Sequence, residues 1–178
     1  ALVHRSDVGG VHLALADAAA VRRAFEAMSG CLGDGMGGAI VQPMVAAGVE
    51  TLAGIVQNAS FGPLVVFGMG GPAAELLGDR AYRSVPLTDR DAADLVRSLG
   101  SSPLLFGYRG SPAADVAAVE ELLARLGRMA DDLPEVAELD LNPVIVGGEV
   151  VAVVDVRVRV TTPPPAAPDT RRLRDLRS

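Results

Sequence analysis

The sequence predicts a mixed α/β (α+β) domain in which strands and helices alternate along the chain. Residues 113–131 place apolar side chains three and four positions apart, the spacing of an amphipathic helix. Residues 138–157 instead alternate polar and apolar side chains around Gly147 and Gly148, which is typical of a β-hairpin. Apolar residues make up 49% of the 178 residues, enough to fill the core of one substantial domain or of two small lobes.

In the first half of the chain, strands and helices are expected to intermix. Asp17 can cap a helix over residues 17–28, preceded by a short strand. The segment AIVQPMV, residues 39–45, is predicted to be a strand that Pro43 stops. VETLAGIVQ and PLVVFGM are expected to pair as strands through the loop NASFG. GGPAAELL then indicates a turn into a short helix with Pro72 near its start.

The second half is expected to contain one extended segment, two helices and a closing hairpin. YRSVPL is predicted to be extended, and Thr88 with Asp91 to cap a helix that runs through Leu99. The helix within 113–131 is expected to bury one apolar stripe: Val116, Val119, Leu122, Leu123, Leu126 and Met129. The proline- and arginine-rich tail, residues 161–178, has nothing to bury and is predicted to be a flexible terminus or linker.

The composition argues against several classes of partner. A net charge of −6 argues against nucleic acid, and nothing resembles a signal peptide or a membrane span, so a cytoplasmic protein without membrane contact is expected. The single cysteine, Cys31, excludes an internal disulfide and suits the cytosol. All 16 basic residues are arginine, so any anionic ligand must be bound by a local site without lysine.

Polar side chains in the closing hairpin fall at every second position, so they share one face of the predicted hairpin. If Gly147 and Gly148 form a two-residue turn, the strand pairing is fixed, and Asp140 faces Asp155 directly. The leucines and valines at the alternate positions then face the core. The polar face consists of Glu138, Asp140, Asn142, Asp155 and Arg157.

Two opposed carboxylates repel each other and would destabilise the sheet. Protonation, solvent exposure or a bound cation would relieve this repulsion. Because carboxylate and amide oxygens are ligands that Mg²⁺ prefers, Asp140, Asn142 and Asp155 are either a magnesium site or a solvated strand face. Without a metal, the Asp140–Asp155 pair is expected to share one raised apparent pKa.

Six segments, in this order, resemble the ATP-grasp domain of ADP-forming (NDP-forming) acyl-CoA synthetases, the equivalent of the nucleotide-binding half of the succinyl-CoA synthetase β chain. They are HRSDVGGV (4–11), AIVQPMVAAGVETLAGIV (39–56), FGPLVVFGMGG (61–71), DRAYRSVPLT (79–88), LLFGYRG (104–110) and PEVAELDLNPVIV (134–146). The resemblance covers about residues 1–160. It implies an ATP-grasp fold truncated at its N-terminal lobe, with a partial lid lobe in 1–38 and the C-terminal lobe in 39–160.

The resemblance also implies an activity. The family makes ATP from ADP and phosphate while it cleaves an acyl-CoA thioester, or runs in reverse, and the phosphoryl group travels on histidine. The implied cofactors are ATP or ADP and Mg²⁺, and the implied partner is a CoA-binding and phosphohistidine domain of the same chain or of another. A fragment of this kind is expected to bind nucleotide poorly and to be inactive alone, and homo-oligomerisation stays open.

Individual residues take roles from the same resemblance. Asn142 and Asp155 match the metal ligands, with Asp140 as the catalytic acid beside them. His4 matches a loop histidine that relays the phosphoryl group towards the nucleotide in some members, and it is the second candidate catalytic residue. The residues that match ATP-binding positions are Arg5, Ser6, Gly9 and Gly10 in the lid loop, Gln42 and Val45 at the hinge that receives adenine, and Glu50 at the ribose.

Two functions of other classes stay open. Similar ligase regions are fused to GNAT-type acetyltransferase domains in bacterial protein lysine acetyltransferases, where they often serve regulation or ligand sensing. The presence of ELDLNP, Asp155 and His4 favours catalysis, because copies that have lost activity tend to lose these residues. The third interpretation is a structural dimerisation module.

Overall fold

The computed structural model describes residues 9–162, without the side chains of four of them: Asp34, Pro72, Ala73 and Glu75. Contacts along the chain divide it into two compact units, Ala1–Val45 and Ala46–Ser178. Within the described residues, the first unit contains one α-helix and a short 3-10 turn, and the second contains a β-sheet with its helices.

The first unit contains helix α1 (Ala18–Leu32). As predicted, Asp17 caps this helix, because its carboxylate accepts a hydrogen bond from the Ala20 N–H at 2.7 Å. The strands predicted before α1 and over residues 39–45 are wrong, since no residue of the described segments joins a β-ladder. Ile40 is 86% exposed, so the apolar run that indicated a buried strand does not line a sheet core.

The second unit contains six strands among the described residues. They are β1 (Val49–Asn58), β2 (Gly62–Met69), β3 (Arg80–Ser84), β4 (Val136–Val146), β5 (Val151–Val153) and β6 (Val156–Val160). The order in the sheet is β3–β2–β1–β4–β5, β6 also pairs with β4, and every pairing is antiparallel. The predicted β1–β2 hairpin is confirmed, and the Asn58 side chain stabilises its loop by accepting from the Ser60 and Phe61 N–H groups at 2.9 and 3.0 Å.

Three α-helices accompany the sheet within the described residues: α2 (Pro72–Leu77), α3 (Asp89–Arg97) and α4 (Val116–Asp132). The predicted cap of α3 is a reciprocal capping box, in which the Asp91 N–H donates to Thr88 Oγ1 at 3.2 Å and the Thr88 N–H donates to Asp91 Oδ2 at 2.9 Å. The Asp115 carboxylate caps α4. In the part of the chain that is described, no helix is long and apolar enough to cross a membrane.

The hydrophobic core lies between one face of the sheet and helices α3 and α4. The predicted stripe of α4 is confirmed at Val119, Leu123 and Leu126, but Met129 is 38% exposed. The period of 3.6 residues carries the buried stripe to Ala130 instead. The sheet contributes alternate side chains: Ala53, Ile55, Val65, Phe67, Leu139, Leu141, Val144 and Val146.

The loop of the closing hairpin is longer than predicted. Val146 pairs with Val151, so four residues rather than two connect the strands. A two-residue type I′ turn requires positive φ at both central positions, and neither Gly147 nor Gly148 has it. The Gly147 N–H instead donates to the Val150 carbonyl at 2.8 Å, which closes the four-residue loop.

The prediction that Asp140 faces Asp155 is therefore wrong. Asp140 pairs with Arg157, and Glu138 pairs with Arg159. Because the register differs from the predicted one by two residues, each side chain keeps the face that alternation assigns to it. The polar side chains of the hairpin still share one face, with an arginine where a second acid was expected.

The Asp79 carboxylate connects the turn between β2 and β3 to the end of α3. It accepts hydrogen bonds from the Gly100 N–H at 3.0 Å and the Ser101 N–H at 2.8 Å. Burial opposes its ionisation, but the hydrogen bonds from Ser101 and Gly100 outweigh burial and lower the pKa of Asp79. A carboxyl whose folded-state pKa is lowered contributes stability above its unfolded pKa, and this contribution is lost as the pH falls.

Replacing Asp79 with alanine is expected to lower the free energy of unfolding by about 1–2 kcal/mol at neutral pH, because two backbone N–H groups lose their acceptor. The difference from the wild type should shrink as the pH falls below about 4, where the wild-type carboxylate becomes protonated. Urea unfolding across this range measures both effects, and Asp94→Ala, which removes an exposed acid of α3, is the control. A loss that does not change with pH would contradict the role of the carboxylate.

Candidate functional site

The face of the sheet opposite the core contains both acids and arginines, and we call it the charged face. Its positions alternate with the core-facing ones along each strand. The positions are Glu50, Leu52, Gly54, Val66, Gly68, Arg80, Tyr82, Glu138, Asp140, Asn142, Asp155, Arg157 and Arg159. Residues that pair across neighbouring strands lie side by side on this face. One such row contains Tyr82, Val66, Gly54, Asp140 and Arg157.

A β-bulge interrupts the pairing of β1 with β4 at the centre of this face. Thr51 pairs with Val144 and Ala53 pairs with Leu141, so one residue of β1 stands opposite two residues of β4, 142–143. Both flanking residues of β4 face the core although they are three positions apart. The bulge therefore shifts the alternation of core-facing and outward-facing positions along β4 by one residue, and no core residue becomes exposed.

The pairing of β4 with the closing strands brings the two predicted metal ligands together. The Asn142 N–H donates to the Asp155 carbonyl at 3.2 Å, so these residues lie opposite each other on adjacent strands. Leu141 and its partner Val156 point away from the charged face. Their immediate neighbours Asn142 and Asp155 therefore both belong to the charged face. The closing strands thus place an amide opposite a carboxylate on the face that the sequence predicted for both, although the predicted register had set Asp155 opposite Asp140.

Asp140 is half-buried in the row next to these two residues. Burial raises the pKa of the Asp140 carboxyl, Arg157 lowers it, and Glu138 raises it further. The more distant Arg80 lowers this pKa and Asp155 raises it by smaller amounts. The prediction of a proton shared between two opposed carboxylates no longer applies, because the residue opposite Asp140 is an arginine. A half-buried acid with mixed charges around it remains.

Two of the arginines on the charged face pair with carboxylates. Arg159 Nε lies 3.1 Å from Glu138 Oε2, and Arg157 Nε lies 3.7 Å from Asp155 Oδ2. All four side chains are at least one-third exposed, so both ion pairs contribute little to stability. The longer distance leaves the oxygens of Asp155 available to another cation. Asp140 forms no ion pair with any residue in 9–162.

The oxygen atoms of Asn142 and Asp155 fit a magnesium ion. Among residues 9–162, no group of three or more His, Cys, Asp or Glu side chains could hold a metal ion, so a site with a full set of protein ligands does not form there. Mg²⁺ commonly takes only one or two protein oxygens and completes its six ligands with water and phosphate. One carboxylate and one amide on the charged face match this requirement.

Glu50, predicted to bind the ribose, lies on the same face at the end of the sheet where β2 finishes. Its backbone carbonyl accepts from the Gly70 N–H at 2.8 Å, and the side chain is exposed. A Cβ atom on Gly71 would lie 3.5 Å from Glu50 Oε2, so the carboxylate stands beside the glycine turn that follows β2. The acid is therefore free of core packing and next to a turn without side chains.

Two glycines, Gly54 and Gly68, lie in the middle of the charged face and contribute no side chain to it. A Cβ atom on Gly54 would overlap the carbonyl oxygen of Leu139, and one on Gly68 would lie 2.8 Å from Arg80 Cγ. Gly54 stands next to Asp140 in its row. Each glycine pairs with a buried apolar residue of the same face, Gly54 with Val66 and Gly68 with Leu52.

The other predicted site residues do not belong to the described sheet. His4, Arg5 and Ser6 lie outside the described residues. Gly9, with φ of 69°, and Gly10 are at the start of the first unit. Gln42 is exposed and Val45 half-buried, and both also belong to the first unit. The described sheet unites only Glu50, Asp140, Asn142 and Asp155.

Sequence reasoning missed the place of two arginines in the site. Arg157 was predicted on the polar face but not opposite Asp140, where it lies, and Arg80 was not considered. Alternation along β3 already places Arg80 on the same face as Tyr82. Only the order of the strands, which the sequence does not specify, places that face beside the acids of β4.

Comparison with known proteins relates this arrangement to a family. Residues 1–160 match the ATP-grasp domain family. The chain is 40% identical over 161 residues to an ADP-forming acetate–CoA ligase I of Archaeoglobus fulgidus, which covers 88% of the chain and 24% of that ligase. It is 31% identical over 162 residues to the β subunit of ADP-forming acetate–CoA ligase I of Pyrococcus furiosus, covering 88% of the chain and 70% of the subunit. The chain thus spans about a quarter of the first relative.

The fold agrees with that of a solved structure. The dinucleotide-forming acetyl-coenzyme A synthetase 1 of Ca. Korarchaeum cryptofilum, in complex with coenzyme A and Mg-AMPPCP, superposes with a TM-score of 0.79 at 36% identity. The match covers 90% of this chain and 72% of that one. The predicted ATP-grasp fold of mixed α/β class is confirmed, and the chain belongs to the ATP-grasp domain family.

Proposed function

We propose that the chain binds an adenine nucleotide with Mg²⁺ on the charged face, as the nucleotide-binding part of an ADP-forming acyl-CoA synthetase. The observation that supports this most directly is the pairing of the closing strands, which sets Asn142 opposite Asp155 and near the half-buried Asp140. The relatives named above are ligases, which favours a ligase over the regulatory interpretation and over a dimerisation module.

Each residue of the group has a chemical role in this proposal. Asn142 and Asp155 would hold the metal through one amide and one carboxylate oxygen. Bound Mg²⁺ would neutralise phosphate charge and orient the phosphates for transfer. Asp140 would accept hydrogen bonds from the metal's water ligands. The positive charge of Arg157, which lies opposite, would stabilise the ionised carboxylate of Asp140. Glu50, at the far end of the face, would accept hydrogen bonds from the ribose hydroxyls.

The overall reaction in this proposal converts acyl-CoA, ADP and phosphate to carboxylate, CoA and ATP. The synthetase of Ca. Korarchaeum cryptofilum has a phosphohistidine segment pointing towards its nucleotide binding site. We infer that a CoA-binding domain with such a histidine works with this chain, whether it belongs to the same polypeptide or to a partner. His4 would accept the phosphoryl group on a ring nitrogen and pass it to the terminal phosphate oxygen of ADP.

Binding of Mg-ADP to the 178-residue chain, followed by NMR shift titration, tests the nucleotide site. This method detects the weak affinity expected of the chain alone. We expect chelation of Mg²⁺ to weaken ADP binding by about tenfold or more, which corresponds to about 1.4 kcal/mol. Asp155→Asn should have the same effect in the presence of Mg²⁺, because it removes the charged ligand and keeps the side-chain size.

The control is Asp131→Asn, which removes an exposed acid near the end of α4. It should leave the affinity for Mg-ADP unchanged, since the long-range charge of the protein contributes little at physiological salt. The proposal fails if ADP binds equally well with and without Mg²⁺, or if both aspartate variants weaken binding by the same factor.

A further inference from the structure

Arg80 lies on the charged face at the side opposite the candidate metal ligands. It pairs with Gly68 of β2, and a Cβ atom on Gly68 would lie 2.8 Å from Arg80 Cγ. The same hypothetical atom would lie 3.4 Å from Leu52 Cδ1 of β1. The stem of the arginine therefore rests over the glycine, where any larger residue would push it away.

Arg80 forms no ion pair with any of residues 9–162. Arg157 and Arg159, the other two arginines of the charged face, pair with Asp155 and Glu138. Arg80 is exposed and forms neither an ion pair nor a side-chain hydrogen bond with a described residue. An arginine that rests on the backbone with its guanidinium unpaired is available to an anion from outside the sheet.

The row that contains Arg80 leads to the metal ligands. It runs from Arg80 through Gly68 to Leu52, and Leu52 is the residue of β1 that stands opposite the bulge with Asn142. Three strand spacings separate the backbones of β3 and β4, about 14 Å. The positions between them are Gly68 and Leu52, and Leu52 is buried.

We propose that Arg80 binds the phosphate groups of the nucleotide from the β3 side, while Asn142 and Asp155 hold their magnesium ion from the β4 side. This inference rests on the proposed function, since it requires the nucleotide to lie on the charged face. The guanidinium suits the task because it stays ionised and can donate two parallel hydrogen bonds to a phosphate. All 16 Lys and Arg residues of this sequence are arginines, and Arg80 is the one on the charged face that forms no ion pair with a described residue.

The test compares Arg80→Gln with Arg83→Gln in the full chain, using NMR shift titrations with Mg-ADP, Mg-AMPPCP and adenosine. Arg83 is the matched control, because it lies on the same strand but alternates to the other face. We expect Arg80→Gln to weaken both phosphorylated ligands by about tenfold and to leave adenosine unchanged. Arg83→Gln should bind all three as the wild type does, and Arg80→Lys should recover part of the lost affinity.

The outcomes separate this inference from the proposal on which it rests. If the wild type binds Mg-ADP and Arg80→Gln binds it equally well, the inference is wrong and the nucleotide site stands. Equal weakening by both glutamine variants would also overturn it, because it would show an effect of net charge. If the wild type binds no nucleotide at millimolar concentration, the proposed function and this inference fail together. A circular dichroism spectrum of each variant confirms that the sheet is intact.

Discussion

The Gly54→Ala variant is expected to lose about 3 kcal/mol or more of its free energy of unfolding. The added Cβ atom would overlap the carbonyl oxygen of Leu139 on β4, so the clash is with backbone and not with a flexible side chain. β1 cannot move away from it, because Gly54 also pairs with Val66 on the other side. The variant can fold only if the pairing of β1 with β4 is distorted at the position beside Asp140.

Urea unfolding followed by circular dichroism measures this loss. Gly148→Ala is the control in the same unit: its Cβ would meet the Ala113 carbonyl at 3.5 Å, an ordinary contact, and the glycine does not have positive φ. This control should change the free energy of unfolding by less than about 0.5 kcal/mol. Similar midpoints for the two variants would show that β1 and β4 do not approach closely at Gly54.

The second large effect is expected from Leu123→Ala in α4. Leu123 is 0% exposed and packs in the core between α4 and the sheet, so its truncation should cost about 3 kcal/mol through lost burial and the cavity left behind. Helix propensity does not explain such a loss, because alanine is the better helix former. Leu76→Ala, which truncates a side chain that is 88% exposed, is the control.

Thermal unfolding of the two leucine variants should show a drop of several degrees for Leu123→Ala and almost none for Leu76→Ala. The same experiment reports on the site indirectly, because the core face and the charged face belong to the same strands. If Leu123→Ala were as stable as the wild type, α4 would not cover the sheet as described.

Local signals in the sequence were sufficient to predict much of the fold. Caps predicted two helices correctly, since the interactions of Asp17 and of Thr88 with Asp91 span only three residues. The face assignment of the closing strands also holds, because alternation depends on parity alone. The strand predicted over residues 39–45 failed, since an apolar run indicates a strand only where a partner strand covers it.

The register of the closing hairpin could not be predicted from the glycine pair. Two glycines permit positive φ but do not require it, and here the loop has four residues because the Gly147 N–H bonds to Val150. The bulge could have been predicted from the sequence. After Leu139 and Leu141, alternation expects the next core residue at position 143, but the next aliphatic residue is Val144. The prediction that Asp140 faces Asp155 was wrong because it assumed a loop of two residues instead of four.

The sequence predicted which polar residues of the closing strands share a face, but it did not predict the charges around them. The resemblance pointed to Asn142 and Asp155, and the structure sets them opposite each other. The arginines near Asp140 come from β3 and β6, and no local pattern links those strands. The roles assigned to His4, Arg5 and Ser6 stay predictions, as do those of Gly9, Gly10, Gln42 and Val45.

The break in alternation at 142–143 in β4 is matched by a second break at 154–155, between β5 and β6. Since both strands skip one position at the same level, their pairing keeps the same register before and after it. Losing a residue from only one of them would move the side chains beyond that point to the opposite face of the sheet. We therefore expect homologous sequences to insert or delete residues in these two segments together or not at all.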